Sequence, residues 1–382
     1  MGGSRALKLG LYSPYFGTVW GGGEKYLACT ARALKDARPA DEVEIVAPVP
    51  VRQERCREML GVDLGGVSFR STNRVTPLHR ALNRAGWLRP LRNRVLGAQA
   101  SRVGQAYDVF LPMVYAIPVA AGGARAAMLC QFPYRGAGRE LEGYDPIVCQ
   151  SEYVRGWIRE YWRREASVVN PPIDVPEAEP DWSRKGRVIL AVGRFFSGGH
   201  SKRQDLLVEA FRQLVDEGLA GWELHLAGTV HRDAHHAGFF DSVAARARGY
   251  PIVVHPDAGG AELQGLYASA SLFWHAAGFG ADGDSEPERL EHFGMSTAEA
   301  MAHGAVPVVF AAGGQLEVVE EGRSGLFWRQ PAELIGATRE LIADDGRRRR
   351  LGEAARSRAQ RWSRPRFAAE IVRALEPALK AV

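Results

Sequence analysis

Cysteine is scarce in this chain, and what there is carries no pairing pattern. Cys29, Cys56, Cys130 and Cys149 show no metal-ligand spacing, and the last two stand in apolar, strand-like runs. Neither a zinc module nor a disulfide framework is expected, and all four read as reduced core thiols. Long apolar runs are missing too. The longest uncharged stretch, Val109 to Ala124, is interrupted by Pro112, Pro118, Gly122 and Gly123 and is shorter than the ~20 residues a spanning helix needs. The opening MGGSRALKLGLY has too short an apolar run for a secretory signal. A cytoplasmic protein without a membrane span is the expectation. Acidic residues, finally, are absent from Leu64 to Tyr107, while Arg70, Arg74, Arg80, Arg84, Arg89, Arg92, Arg94 and Arg102 all fall there.

What is present is ordinary for a soluble globular chain: 46% hydrophobic and 24% charged over 382 residues, which fits about two domains. The net charge of +5 suits an anionic ligand, lipid headgroups or an arginine-rich background. Strands are expected at Ala6–Leu11, Val43–Ala47, Val67–Arg70, Val109–Leu111, Ala126–Gln131 and Ile147–Gln150. A second series runs Arg187–Val192, Glu223–Ala227, Ile252–His255, Leu272–His275 and Ala305–Phe310. Helical patterns alternate with most of them, which predicts parallel, doubly wound α/β sheets. Between the two series, Pro171, Pro172, Pro176 and Pro180 give an extended linker reaching about Arg184.

Three loops carry polar chemistry at strand ends, where ligands of such sheets bind. The first runs from Tyr12 to Gly23 and closes with Gly21, Gly22 and Gly23 before a helix from Glu24 to Lys35. It is not a G-x-G-x-x-G turn, and it reads equally as a flexible turn or as an amide-lined approach for an anion or sugar. The second, GRFFSGGHSK, places Gly193 and Arg194 at a strand end and Lys202 at the start of a helix. Two cations with an amide-rich loop suit a diphosphate, and a solvated helix start explains them as well. The third is EHFGMSTAE. Glu291 lies in the loop and Glu299 in the following helix, with Phe293, Gly294 and Met295 at the helix start and Gly304 as its stop. Free amides and the helix dipole there favour a phosphate, although two solvated carboxylates fit the same spacing.

This third segment resembles the signature of the retaining family-4 glycosyltransferases, in which Glu, seven residues, Glu, with Phe-Gly just inside, marks the sugar-nucleotide site. The second loop resembles the same family's donor-diphosphate segment, with Arg194 and Lys202 in place and Arg203 where a glycine is common, adding to the positive field. The resemblance covers nearly the whole chain and is strong from Gly193 to Phe327. It implies the GT-B fold, two Rossmann-like doubly wound domains facing across a cleft. The expected division is 1–174 for the acceptor side, 187–362 for the donor side, and 363–382 as a C-terminal helix crossing back to the first domain.

By the same resemblance, Arg194 and Lys202 with the amides near Gly294 stabilise a leaving diphosphate, so no metal and no cofactor are required. Glu299 takes the ribose hydroxyls, and Glu291, Phe293 and Gly294 contact the transferred sugar. Gly22, Gly23, Gly193, Met295 and the backbone around His255 complete the donor site, and Gln131 stands where the family often has a histidine. The implied reaction moves a hexose from GDP-mannose or a UDP-hexose to a saccharide, glycolipid or polyprenyl-linked acceptor. Another GT-B reaction, such as epimerisation or phosphorolysis, and an inactive donor-binding subunit are the alternatives.

Other clusters point elsewhere. His231, His235 and His236 have a spacing that could recruit zinc but stand in a polar segment with no further ligand evident, and Asp282, Asp284, Glu286 and Glu288 read as a solvated acidic flap. Leu78, Leu82, Trp87, Leu88, Leu91, Val95 and Leu96 interleave with the arginines of the acid-free stretch, with Pro90 dividing the helix. That pattern suits an anionic inner-membrane surface, or leucines packed in their own domain under solvated arginines. No recognition motif for nucleic acid accompanies the charge.

Overall fold

The computed structural model describes residues 5–72, 89–115, 117–230 and 236–380. The chain separates into two compact units, one of Met1–Pro172 with Arg364–Val382, the other of Ile173–Ser363. The first is built on β1 (Lys8–Tyr12), β2 (Glu42–Ala47), β3 (Val67–Ser71), β4 (Val109–Tyr115), β5 (Arg125–Phe132), β6 (Tyr144–Cys149) and β7 (Ser167–Val168). They form one parallel sheet ordered β3-β2-β1-β4-β5-β6-β7. β4 runs four residues past the expected end at Leu111, through Pro112. Proline reads as a strand breaker because it cannot donate to the ladder, yet here its neighbours Leu111 and Met113 are buried and carry the strand on.

Helices α1 (Gly22–Ala37), α2 (Gln53–Leu60), α3 (Arg89–Gly104) and α4 (Glu152–Trp162) flank this sheet. α2 has only Cys56 and Leu60 buried, too thin an apolar stripe to read from sequence. Ser151 caps α4, its hydroxyl accepting from the Val154 amide at 3.1 Å, an arrangement worth about 1 kcal/mol. In α3, Pro90 stands in the first turn, where its missing N–H is no loss. The close-packed side of that helix is made of small residues: a Cβ on Gly97 would meet the Pro118 carbonyl, and one on Gly104 the Phe110 ring at 2.6 Å. Leu91 is exposed, while Leu96 packs against the core. Leu78, Leu82, Trp87, Leu88, Arg74, Arg80 and Arg84 lie outside the described residues. All four cysteines are buried thiols.

The second unit contains β8 (Val188–Val192), β9 (Glu223–Gly228), β10 (Ile252–Pro256), β11 (Leu272–His275), β12 (Val306–Phe310) and β13 (Leu326–Trp328). Its sheet is also all parallel, in the order β10-β9-β8-β11-β12-β13. Counted from its own first strand this is 3-2-1-4-5-6, the doubly wound order whose reversal point lies between β8 and β11. Helices α5 (Gln204–Asp216), α6 (Ala237–Ala247), α7 (Gly260–Ser269), α8 (Met295–Ala302), α9 (Gln315–Val318), α10 (Pro331–Ala343) and α11 (Asp345–Ala359) accompany it. Phe211, Trp274 and Trp328 fill the centre of the core. Both indole N–H groups are satisfied, Trp274 by Thr338 Oγ1 at 3.1 Å and Trp328 by the His275 carbonyl at 3.2 Å.

The last helix, α12 (Arg364–Leu379), belongs to the first unit. Phe367, Ile371 and Leu375 enter that unit's core, and the Phe367 ring meets Tyr26 of α1 edge-on at 5.2 Å. Among the described residues no helix is long and apolar enough to cross a membrane.

Candidate functional site

The reversal point of the second sheet gathers the polar residues singled out above. β8 ends at Val192 and hands over to Gly193 and Arg194, while β11 ends at His275. Gly193 has no room for a side chain, since a Cβ would lie 2.5 Å from Lys202 Cγ. Gln204, buried at the start of α5, donates its amide to the carbonyls of Gly193 at 3.0 Å and Arg194 at 3.1 Å, which pins the loop to the helix. Arg203 precedes that helix with φ +53°, in the left-handed region that favours glycine. Its guanidinium does not feed a general positive field. It faces Asp205 at 3.1 Å and donates to the Phe279 carbonyl at 2.8 Å.

Lys202 reaches the centre of the site. Its Nζ lies 2.5 Å from Glu291 Oε2 and 3.3 Å from His200 Nε2. The same Oε2 is 2.9 Å from His275 Nε2. Glu291 is buried; burial raises its pKa, but Lys202 and the His275 contact outweigh that and hold it well below the usual carboxylate range. Burial drives the surrounding histidines toward the neutral form: His275 and His200 fall below their ordinary value, and His292 is pushed down to about 4. The His200 and His292 rings pack at 4.9 Å, and His292 Nε2 meets the Glu288 carbonyl at 3.1 Å. Arg194 extends over the Phe196 ring at 5.8 Å, and no described carboxylate pairs with it.

The helix that follows supplies the amides. Gly294 caps α8 at φ 111° with no side-chain cap, so the first-turn N–H groups have no intrahelical acceptor. A Cβ there would strike the Gln315 amide, which is buried and donates to Thr297 Oγ1 at 2.9 Å. Gly313 and Gly314 press against the same loop: the Gly314 amide bonds the Glu291 carbonyl at 2.7 Å, and a Cβ on Gly313 would lie 2.3 Å from that oxygen. Glu299, one turn on, accepts from the Tyr267 hydroxyl at 3.0 Å. Buried atoms without a partner among the described residues concentrate here: His200 Nδ1, Gln204 Oε1, His275 Nδ1 and Gln315 Oε1. Unsatisfied buried polar groups are rare in native structures, and four of the six such atoms among the described residues belong to this one region.

One expectation changes. Phe293 does not offer its side chain to a sugar: it is 2% exposed and its ring packs edge-on against Trp362 at 5.5 Å, so only its backbone remains available. His255 lies on the edge strand β10, with β9 and β8 between it and β11. Its ring nitrogens are engaged by Glu262 and by His225, each at 3.1 Å, with Glu223 beyond at 3.0 Å from His225. The spelling G-x-G-x-x-G does occur, at Gly278–Gly283, but it leads from β11 into a loop and opens no helix, so it is no dinucleotide turn. Met295 begins α8 as expected.

In the first unit, Gly22 and Gly23 open α1 after β1, beside that sheet's own reversal between β1 and β4. Gly23 is required by Gln131, whose amide nitrogen would lie 1.7 Å from a Cβ. His231 and His235 lie outside the described residues. His236 packs on Phe196 at 4.1 Å with its Nδ1 3.0 Å from Ser197 Oγ. Asp282 accepts from Ser285 and the Asp284 amide, and the described residues contain no cluster able to hold a metal ion. His275, His200, Gln204 and Gln315 were not assigned from sequence. The available signal was a polar residue ending or entering an otherwise apolar element.

Two parallel, doubly wound sheets of this order make the α/β architecture of the GT-B fold. Residues 176–358 match the family model Glycosyl transferases group 1. A D-inositol 3-phosphate glycosyltransferase from Xylanimonas cellulosilytica is 30% identical over 240 residues, 59% of this chain and 46% of that protein. A mannosylfructose-phosphate synthase from Agrobacterium fabrum is 29% identical over 37% of this chain and 29% of its own length. The matched segments thus span less than half of these curated relatives. Among solved structures, a glycosyltransferase from Rickettsia africae superposes with TM-score 0.70 at 14% identity, covering 99% of this chain and 100% of that one. Anabaena HepE in complex with UDP-glucose gives 0.67 at 14%, covering 97% and 100%.

Proposed function

We propose that this protein is a retaining, metal-independent glycosyltransferase that moves a hexose from a nucleoside diphosphate sugar to an acceptor hydroxyl. The observation that carries the reading is the contact of Lys202 with an ionised, buried Glu291 beside the uncapped, glycine-headed start of α8. In this reading Lys202, Arg194 and the first-turn amides of α8 take up the negative charge that develops on the leaving diphosphate, the role a metal ion plays elsewhere. Glu299, held by Tyr267, receives the ribose hydroxyls. Glu291 fixes the transferred sugar rather than acting as a simple base. The leaving phosphate takes the acceptor proton on the face it departs from, which retains the anomeric configuration. The backbone around His255 is the proposed edge for the nucleobase.

A UDP-hexose is favoured as donor by the UDP-glucose complex of HepE, with GDP-mannose as the other candidate. The acceptor is a saccharide, a glycolipid or a polyprenyl-linked carrier, and the inositol phosphate in a relative's name adds a phosphorylated polyol to the panel. The test is incubation of the purified protein with UDP- and GDP-sugars and these acceptors, reading product anomer by NMR. Transfer with retention is expected. Inversion refutes the proposed stereochemistry, and epimerised donor or nucleotide binding without turnover replaces the transferase reading altogether.

A further inference from the structure

His275 sits at the end of β11 with its ring almost fully enclosed, its Nε2 2.9 Å from Glu291 Oε2. Its position along the chain is fixed because the Trp328 indole donates to its carbonyl at 3.2 Å. An ionised Glu291 accepts hydrogen bonds and cannot donate, so the proton of this contact resides on His275 Nε2. The other ring nitrogen, Nδ1, is buried and has no partner among the described residues. A second proton there would be a buried, unpaired donor on a buried cation, an expensive arrangement. The charged groups facing the ring are Glu291 and Lys202, and burial keeps the ring neutral. Geometry and charge thus agree on one state: a neutral imidazole with its proton on Nε2.

We propose that His275 is a positioning residue that holds Glu291 in place when Lys202 turns from it to the diphosphate of the donor. Both His275 and Lys202 bond the same oxygen, Oε2. A buried carboxylate left by the one cationic side chain that bonds it among the described residues would be stranded at high cost. With His275 in place it keeps a neutral donor anchored to the sheet, and Lys202 is released for substrate. A neutral donor suits this task because it does not compete with Lys202 as a second cation would. The assignment rests on the proposed roles of Glu291 and Lys202 in sugar transfer, whereas the protonation state of the ring does not.

Two measurements separate these. In protein labelled with ¹⁵N-histidine, the imidazole resonances that disappear in His275→Gln are expected to show the Nε2–H neutral tautomer, unchanged from pH 8 down to pH 5. An imidazolium pattern at pH 6, or the Nδ1–H tautomer, overturns the proposal whatever the enzyme's activity. In steady-state assays His275→Ala should lower kcat by about tenfold to a hundredfold, the scale of a misplaced reacting group, with the donor KM within about threefold. His275→Gln presents an N–H in place of Nε2 and should recover most of that loss. Parent-like kcat in a folded His275→Ala protein, or equal loss in the Gln variant with an unchanged melting temperature, refutes the positioning role. If the parent protein transfers no sugar but the tautomer is as stated, the transferase reading fails, and with it the role assigned to the bond but not the bond itself.

Discussion

At the scale of single residues, the two cations of the second unit differ in a way that makes them separable. Lys202 is engaged with Glu291 and His200, whereas Arg194 lies over the Phe196 ring and pairs with no carboxylate among the described residues. Arg194→Ala and Lys202→Ala should each lower turnover by about a hundredfold, the cost of losing a preorganised charge stabiliser, and parent-rate transfer by either purified variant refutes the diphosphate site. Lys202→Ala should in addition perturb Glu291, which loses its charged partner. Lys185, at the far end of the same unit, offers a pH test. Its Nζ donates to the Ala270 carbonyl at 2.7 Å, and burial pushes its pKa down to about 7. An unfolded lysine titrates near 10.4. Between those values the unfolded chain binds a proton that the folded chain gives up, so stability climbs as pH rises from about 7 to about 10. Melting temperatures across that window should rise less steeply in Lys185→Met, and parallel slopes contradict the assignment.

At the scale of elements, the site is a meeting of one strand end, one helix start and one glycine pair. Gly313 has φ 58° and its missing Cβ makes room for the Glu291 carbonyl. Gly313→Ala therefore carries a left-handed penalty of about 1–2 kcal/mol together with a clash that displaces the Glu291 loop. The expected outcome is a lower denaturation midpoint and a loss of transfer; a variant with parent stability and rate shows that this packing is unimportant. Much of this level was legible in the sequence. Most strands of both sheets and the glycine stop of α8 follow from apolar runs and turn residues, and the family resemblance puts Lys202 and Glu291 at one site. What escaped were contacts between elements far apart in the chain. Nothing local to His275 reveals that its ring meets Glu291, and nothing local to Phe293 shows that Trp362 covers it. The left-handed backbone at Arg203 is a tertiary override of local preference, since arginine there is secured by its bond to Phe279.

At the scale of the molecule, chelation and membrane binding are the informative tests. EDTA should leave transfer intact because cationic side chains face the proposed diphosphate; loss of activity restored by magnesium or manganese contradicts that chemistry. Sedimentation with anionic vesicles examines the acid-free arginine stretch: salt-sensitive binding, weakened by replacing Arg80, Arg84 and Arg92, places the protein on a membrane surface, and no binding at low salt points to a soluble acceptor. The division of the chain into units has a consequence for synthesis. The second unit is one continuous segment, but the first is completed by α12, which supplies Phe367, Ile371 and Leu375 to its core. Roughly 190 residues separate the two parts, about 10 to 40 s of translation at ordinary rates. On the ribosome the first unit therefore waits with an open apolar seam along α1 while the second unit emerges and folds, so the part made first is the last to be finished, and it is during that interval that a chaperone has something to hold.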